Sequence, residues 1–301
     1  MTLNLISAGR CAVGLILFLS NLSQGVVSDY HVSDRYNGYS PVWSDNFAGN
    51  SLNEDIWSCE EGYVRNDELQ YYTGSDKNVY VSDGMLHLAA YRETITDENG
   101  KEYNYSSGSV HTKDKLSFRE GILEMRAKLP KGKGMWPAFW TLGAVSEDKE
   151  EKYPQSWPYA GEIDIMEMVG GEAQWGEGGD AKIYANIQWG NPPFGDVFSL
   201  TNVNGHNYTC EKGIFNDNFH VFGIKWTQEE ITWFCDDNDY YTIEITDDMT
   251  CFKELDQYIL INLAVGGEWA GEPDEKTIFP NEYVIDWVRI YQKEENINFY
   301  K

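Results

Sequence analysis

The segment GEIDIMEMVGG, Gly161 to Gly171, places Glu162, Asp164 and Glu167 within six residues. Carboxylates at this density suit three uses: paired acid and nucleophile chemistry, a calcium cluster, or a solvated acidic strand. Glu162 and Asp164 alternate with Ile163 and Ile165, the rhythm of a strand with one polar and one buried face. Strict alternation would put the third acid at position 166, but Met166 stands there and Glu167 comes one residue late. Uncorrected, Glu167 would face the core, where an unpaired carboxylate is very costly. A β-bulge at Ile165–Met166 absorbs the surplus residue and returns Glu167 to the face of the other two.

With that bulge, Glu162 and Glu167 stand about four strand steps apart, on the order of 13 Å between Cα atoms at ~3.3 Å per step. Inward-leaning side chains and strand curvature bring the carboxyls to roughly 5–6 Å, close to the ~5–5.5 Å that retaining glycoside cleavage requires. One carboxylate then attacks the anomeric carbon while the other holds a proton for the leaving oxygen. Two identical side chains divide that labour only if their surroundings separate their pKa values. The expectation is Glu162 as nucleophile, Glu167 as general acid/base, and Asp164 as the residue that tunes both. Spacing alone does not set the direction of the first two roles.

Such a strand needs a sheet around it. VYVSDGMLHLAAYRE, EGILEMRAKL, FHVFGIKWTQEEITWFCDD, DYYTIEI, QYILINLAV and EYVIDWVRIYQ all read as strands, many with alternating faces. FGIKWTQEEITWF has the spacing of a hairpin turning at Thr227–Glu230. Only KYPQSW and the region near Met249 suit short helices. No repeat or Pro/Gly/Ser-rich linker divides the chain, so the prediction is one all-β sandwich or barrel. Aromatics concentrate in YVRNDELQYYTG, GKGMWPAFWTLG, QSWPYAG and IQWGNPPFG. Any one tryptophan suits a core. As a set, flat rings flanked by Asn, Gln and Glu suit the faces and hydroxyls of pyranose rings along a groove.

Of the 301 residues, 42% are hydrophobic and 15% aromatic, enough for a substantial core. The net charge of −26 weighs against nucleic acid, anionic membrane or a polyanionic substrate, and favours a neutral ligand. At the N-terminus Arg10 precedes the apolar run Cys11 to Leu19, the anatomy of a signal peptide. The expected organisation is a signal peptide over 1–25, a lead over 26–40, one catalytic domain over 41–292 and a short tail over 293–301. The mature protein is expected to be secreted, without stable membrane association; an uncleaved N-terminal anchor is the alternative. Cys59, Cys210, Cys235 and Cys251 would remain, permitting up to two disulfides in three connectivities. No C-x-x-C spacing announces a zinc site. Asn104 and Asn207 fit the glycosylation sequon.

Taken together these residues resemble laminarinase-type members of glycoside hydrolase family 16, whose bulged E-x-D-x-x-E signature is reproduced by EIDIME. The resemblance runs from about Pro41 to Gln292, through PVWSDNFAGNSLNEDIW, NDELQYYTGSDKNVYVSDGMLHLAA, SGSVHTKDKLSFREGILEMRAKLPKGKGMWPAFWTLG and LINLAVGGEWAGEPDEKTIFPNEYVIDWVRIYQ. It implies a β-jelly-roll sandwich of two antiparallel sheets with a concave substrate cleft. It implies a monomeric, endo-acting, retaining hydrolase of neutral β-1,3-glucan, with no cofactor required for catalysis. It also implies Glu162 as nucleophile, Glu167 as acid/base, and Trp136, Trp140, Asn66 and Glu68 along the cleft. Gln188, in IQWG, stands where the family commonly carries histidine, and would contact the scissile sugar without carrying charge. Asp286 matches one ligand of a structural calcium. Asn46 replaces the usual opening acid, so either a carbonyl oxygen substitutes for a carboxylate or the ion is absent. Mixed-linkage glucanase, agarase-like hydrolase, transglycosylase and non-catalytic β-glucan-binding protein are the alternatives.

Overall fold

The computed structural model describes residues 34–153, 157–171, 178–191, 196–199 and 206–297. The expected signal peptide, most of the lead and the end of the tail lie outside the described residues, as does part of KYPQSW. Strands dominate, and they form two sheets. The ten-stranded sheet carries, side by side, Asn238–Glu244, Glu230–Cys235, His220–Trp226, Gly121–Lys128, Asn281–Lys293 and Met85–Thr96. The nine-stranded sheet orders Lys182–Asn191, Glu162–Glu167, Met135–Ala144, Asp256–Val265 and Ser109–His111. Several neighbours, such as Gly121–Lys128 beside Asn281–Lys293 and Met135–Ala144 beside Asp256–Val265, are far apart in the chain, as the crossing connections of a jelly roll require. Pairing is antiparallel apart from Gln70–Tyr72 against Glu102–Ser107.

Alternation explains how the sheets meet. From the nine-stranded sheet, Phe139, Ile163, Ile187, Ile259 and Ile261 are fully buried, and they share one core with Leu123, Met125, Phe222, Ile224, Val288 and Ile290 of the other. Each such side chain contributes roughly 1.5–3 kcal/mol through burial. Trp57, Trp226 and Trp233 are fully buried too, so for these three the ordinary role of tryptophan holds. The hairpin forms where its spacing places it. His220–Trp226 pairs with Glu230–Cys235, Thr227 N–H donates to the Glu230 carbonyl at 2.9 Å, and the Thr227 hydroxyl oxygen accepts from two following amides. A one-turn helix, Cys251–Glu254, follows Met249.

Two expectations meet different outcomes. Cys59, Cys210, Cys235 and Cys251 are all free thiols, so neither permitted disulfide is formed. Asp286, the calcium candidate, has its carboxylate paired with the Arg126 guanidinium across neighbouring strands. A divalent cation there would have to share one carboxylate with an existing cation, and the residues present do not fit it.

Candidate active site

The bulge appears in both pairings of the Glu162–Glu167 strand. Against Met135–Ala144, Trp140 faces Asp164 while Phe139 faces Met166, leaving Ile165 as the surplus residue. On the other side Asp164 faces Asn186 and Glu167 faces Tyr184, so two residues, Ile165 and Met166, stand against the single Ala185. Ile165 and Met166 both enter the core, and Glu167 returns to the outer face with Glu162 and Asp164. Across the core, the Trp233 indole N–H of the opposite sheet donates to the Asp164 backbone carbonyl at 2.9 Å, fixing the strand where its rhythm changes.

The acids sit in a recessed floor: relative exposures are 8% for Glu162, 4% for Asp164 and 8% for Glu167. Each outer carboxylate accepts two neutral N–H donors. Glu162 takes Gln188 Nε2 at 2.9 Å and Trp157 Nε1 at 3.0 Å. Glu167 takes Trp136 Nε1 at 2.9 Å and Asn186 Nδ2 at 2.6 Å. These bonds fix the rotation of both carboxyl groups and favour their ionised forms.

Burial opposes them. It lifts Glu162, with the charge of Glu167 as second cause, up to about 8; the Trp157 N–H and the Arg65 charge pull the other way. Asp164 is held well above the ordinary carboxylate range by burial and by the charges of Glu162 and Glu167. Glu167 is raised by burial against its two donors, with the charge of Glu68 adding to the rise. All three carboxyls are therefore shifted upward and titrate as a unit. Its surroundings are lopsided: the cation acting on Glu162 is Arg65, and the further anion acting on Glu167 is Glu68. Both belong to the loop before the strand Gln70–Tyr72.

The remaining expected residues are placed as follows. Trp136 reaches Glu167 and packs edge-on against Trp269, ring centroids 5.3 Å apart, with Tyr184 beyond at 5.1 Å from Trp269. Gln188 lies opposite Glu162 and donates to it, so the glutamine occupies the position expected of a histidine without supplying a charge. Asn66 is exposed and donates to Glu68 at 3.4 Å. Glu68 is buried, and also accepts from Gln70 at 2.5 Å and Tyr72 at 3.3 Å. Trp140 shares the outer face with Asp164 but is only 7% exposed. Its Nε1 donates to Asn262 at 2.7 Å, and the Arg65 guanidinium lies 5.1 Å from its ring centre. Trp140 is therefore a support under Arg65, not an open stacking platform.

Sequence reasoning missed Arg65, Trp157, Asn186 and Asn262. Asn186 was within reach, since it precedes Gln188 by two residues and must share its face. Trp157 stands in one of the aromatic segments, and its ring is 57% exposed beside Glu162. Asn262 carried no signal of its own. The assembled floor pairs two carboxyls of adjustable protonation with the exposed Trp157 ring beside Glu162 and the half-buried Trp136 and Trp269 rings at the Glu167 end. Such an arrangement can attack and protonate opposite ends of one bond in a ring-shaped, hydroxyl-rich ligand.

The chain is similar to known proteins. A family model described as the GH16 domain of β-porphyranases A–D matches residues 39–293. Glucan endo-1,3-β-glucosidase A1 of Niallia circulans is 30% identical, over 85% of this chain but only 38% of that longer protein. A β-glucanase of Rhodothermus marinus is 34% identical, over 86% of this chain and 87% of its own. Among solved structures, the endo-β-1,3-glucanase from Pyrococcus furiosus has a TM-score of 0.70 at 34% identity, covering 84% of this chain and 94% of that one.

Proposed function

This chain belongs to glycoside hydrolase family 16, and from that premise we propose that it is a secreted, monomeric, endo-acting β-1,3-glucanase that cleaves neutral laminarin-like chains with retention. The observation that carries the reading is the bulge, which sets Glu162, Asp164 and Glu167 on one face with each glutamate held by two N–H donors. The glucan assignment draws on the relatives named above. The net charge of −26 favours a neutral chain over a polyanionic one.

In this mechanism Glu162 attacks the anomeric carbon while Glu167 passes its proton to the departing glycosidic oxygen. The C–O bond breaks and a glycosyl ester forms. Glu167, now ionised, takes a proton from water, which displaces Glu162 and restores the β configuration. The direction of the roles is supported by the lopsided charges: Arg65 favours ionisation at Glu162, and Glu68 favours a proton on Glu167. Burial is the first cause of the rise of Glu162 to about 8 and the charge of Glu167 the second, so a proton on Glu167 removes part of the rise and favours ionisation of Glu162. Burial and its two anionic neighbours favour a proton on Asp164, which limits the negative charge crowded beside the nucleophile. Secretion rests on the N-terminal sequence.

The test is a side-by-side digestion of laminarin, curdlan, lichenan and agarose, with linkage analysis of the fragments and proton NMR of the first products. The expected result is β-1,3 cleavage with β-anomeric initial products. Initial α-anomers would mean inversion and overturn the mechanism, and pull-down of laminarin without cleavage would overturn the activity.

A further inference from the structure

At one end of two neighbouring strands of the ten-stranded sheet, outside the acid trio, His220, Cys235 and Asp236 converge. His220 opens one strand and Cys235 closes its hairpin partner. Phe222 lies directly opposite Cys235, and His220 is two residues from Phe222, so alternation turns the His220 and Cys235 side chains to the same face. Asp236 begins the following turn with φ of 52° and folds its carboxylate back toward the strand. Val221 N–H donates to its Oδ1 at 2.8 Å, and His220 Nδ1 lies 2.7 Å from its Oδ2. One donor atom from each of the three residues falls within 4.8 Å of the other two. His220 Nε2 is buried without a hydrogen-bond partner.

The strand Asn207–Thr209, which pairs with Lys182–Asn191 in the other sheet, borders this cluster. The same strand touches the hairpin through Asn238 Nδ2 to the Tyr208 hydroxyl at 3.2 Å and through the rings of Tyr208 and Tyr240, 5.5 Å apart. We propose that His220, Cys235 and Asp236 bind a zinc-class divalent cation, with water completing its coordination.

The donor chemistry selects the ion. Imidazole, thiolate and carboxylate suit a borderline metal in tetrahedral geometry, whereas calcium and magnesium take oxygen alone. On binding, the Cys235 thiol releases its proton to water, and His220 keeps its remaining proton on Nε2 so that Nδ1 faces the ion. The Nδ1–Oδ2 distance then opens to about 3.3 Å, as for two ligands ~2.0–2.1 Å from one zinc. Arg35 does not compete for the carboxylate. Its guanidinium is paired with Asp239 and donates to the Asp236 backbone carbonyl at 3.1 Å, not to the Asp236 side chain. The donors come from separate strands, which is why no short cysteine motif marks the site.

The experiment uses the full chain, purified with its thiols reduced, stripped by chelator, and titrated with Co²⁺ and then Zn²⁺. The expected result is a thiolate-to-cobalt charge-transfer band that saturates at one metal per chain, is displaced by zinc, and accompanies a rise in Tm of several degrees. C235S and H220N, each checked for native circular dichroism, should lose the band and the Tm rise while keeping wild-type turnover on glucan. Absence of the band in reduced wild-type protein would overturn the proposal. So would its persistence in folded C235S, or a Cys210–Cys235 disulfide in the protein as secreted.

Discussion

Two tryptophans bond to opposite members of the acid pair, so replacing each by phenylalanine should move opposite limbs of the pH profile. Trp136→Phe removes the N–H that Glu167 accepts at 2.9 Å and keeps a ring against Trp269. A hydrogen bond to a charged group is worth about 1.5–3 kcal/mol, or about 1–2 pH units at ~1.4 kcal/mol per unit. Trp136 is half-buried and water can partly replace the donor, so the lower figure applies, about one unit. The lost donor favoured the ionised carboxylate, hence Glu167 holds its proton to higher pH. The alkaline limb of kcat/KM should then move up by about one unit with the acidic limb fixed. Trp157→Phe removes the donor to Glu162 at 3.0 Å. It should raise the acidic limb instead, and by less, because this ring is 57% exposed. The assay is kcat/KM across pH on a soluble β-1,3-oligosaccharide. If Trp136→Phe moves the acidic limb, or both variants move the same limb, the roles given to Glu162 and Glu167 are wrong.

Glu162→Ala should abolish turnover and, with azide present, release an α-glycosyl azide detectable by mass spectrometry and NMR; a β-azide or none would remove Glu162 as nucleophile. Asp164 has its folded pKa raised, so the folded state binds more protons than the unfolded one, and its penalty grows as pH rises above the ordinary carboxylate range. Asp164→Asn should therefore have a higher Tm than wild type at pH 8 and lose that advantage by pH 4, while turnover falls. Ile163→Ala, at a fully buried position behind the acids, should cost about 2–5 kcal/mol in denaturant unfolding. Added Ca²⁺ should leave Tm unchanged, and Asp286→Asn should cost no more than about 1 kcal/mol, because its partly exposed pair with Arg126 is worth little.

What could be read in advance was whatever depends on side-chain rhythm. A carboxylate at position 167 forces the bulge, because the alternative buries a charge. The hairpin at Thr227–Glu230 follows from two alternating runs separated by a turn. Contacts set by strand order could not be read this way. Tyr72 and Asn262 are 190 residues apart, yet their hydrogen bond helps support Trp140 beneath Arg65. Arg126 meets Asp286 only because the two strands carrying them are neighbours in one register, and this pairing defeats a ligand assignment made by position alone. Trp157 lies in an aromatic-rich segment of the sequence, but its bond to Glu162 depends on how the chain folds over the strand.

The bond from Trp233 to the Asp164 carbonyl spans both layers of the molecule. The hexapeptide EIDIME is consequently not a portable cassette. Transplanted onto another sheet, it would bring its acids and its surplus residue but no indole rising from behind to hold the kink. A designer borrowing this chemistry would have to import the rear layer along with the front one, and a natural lineage that repacks its core edits its active face as well.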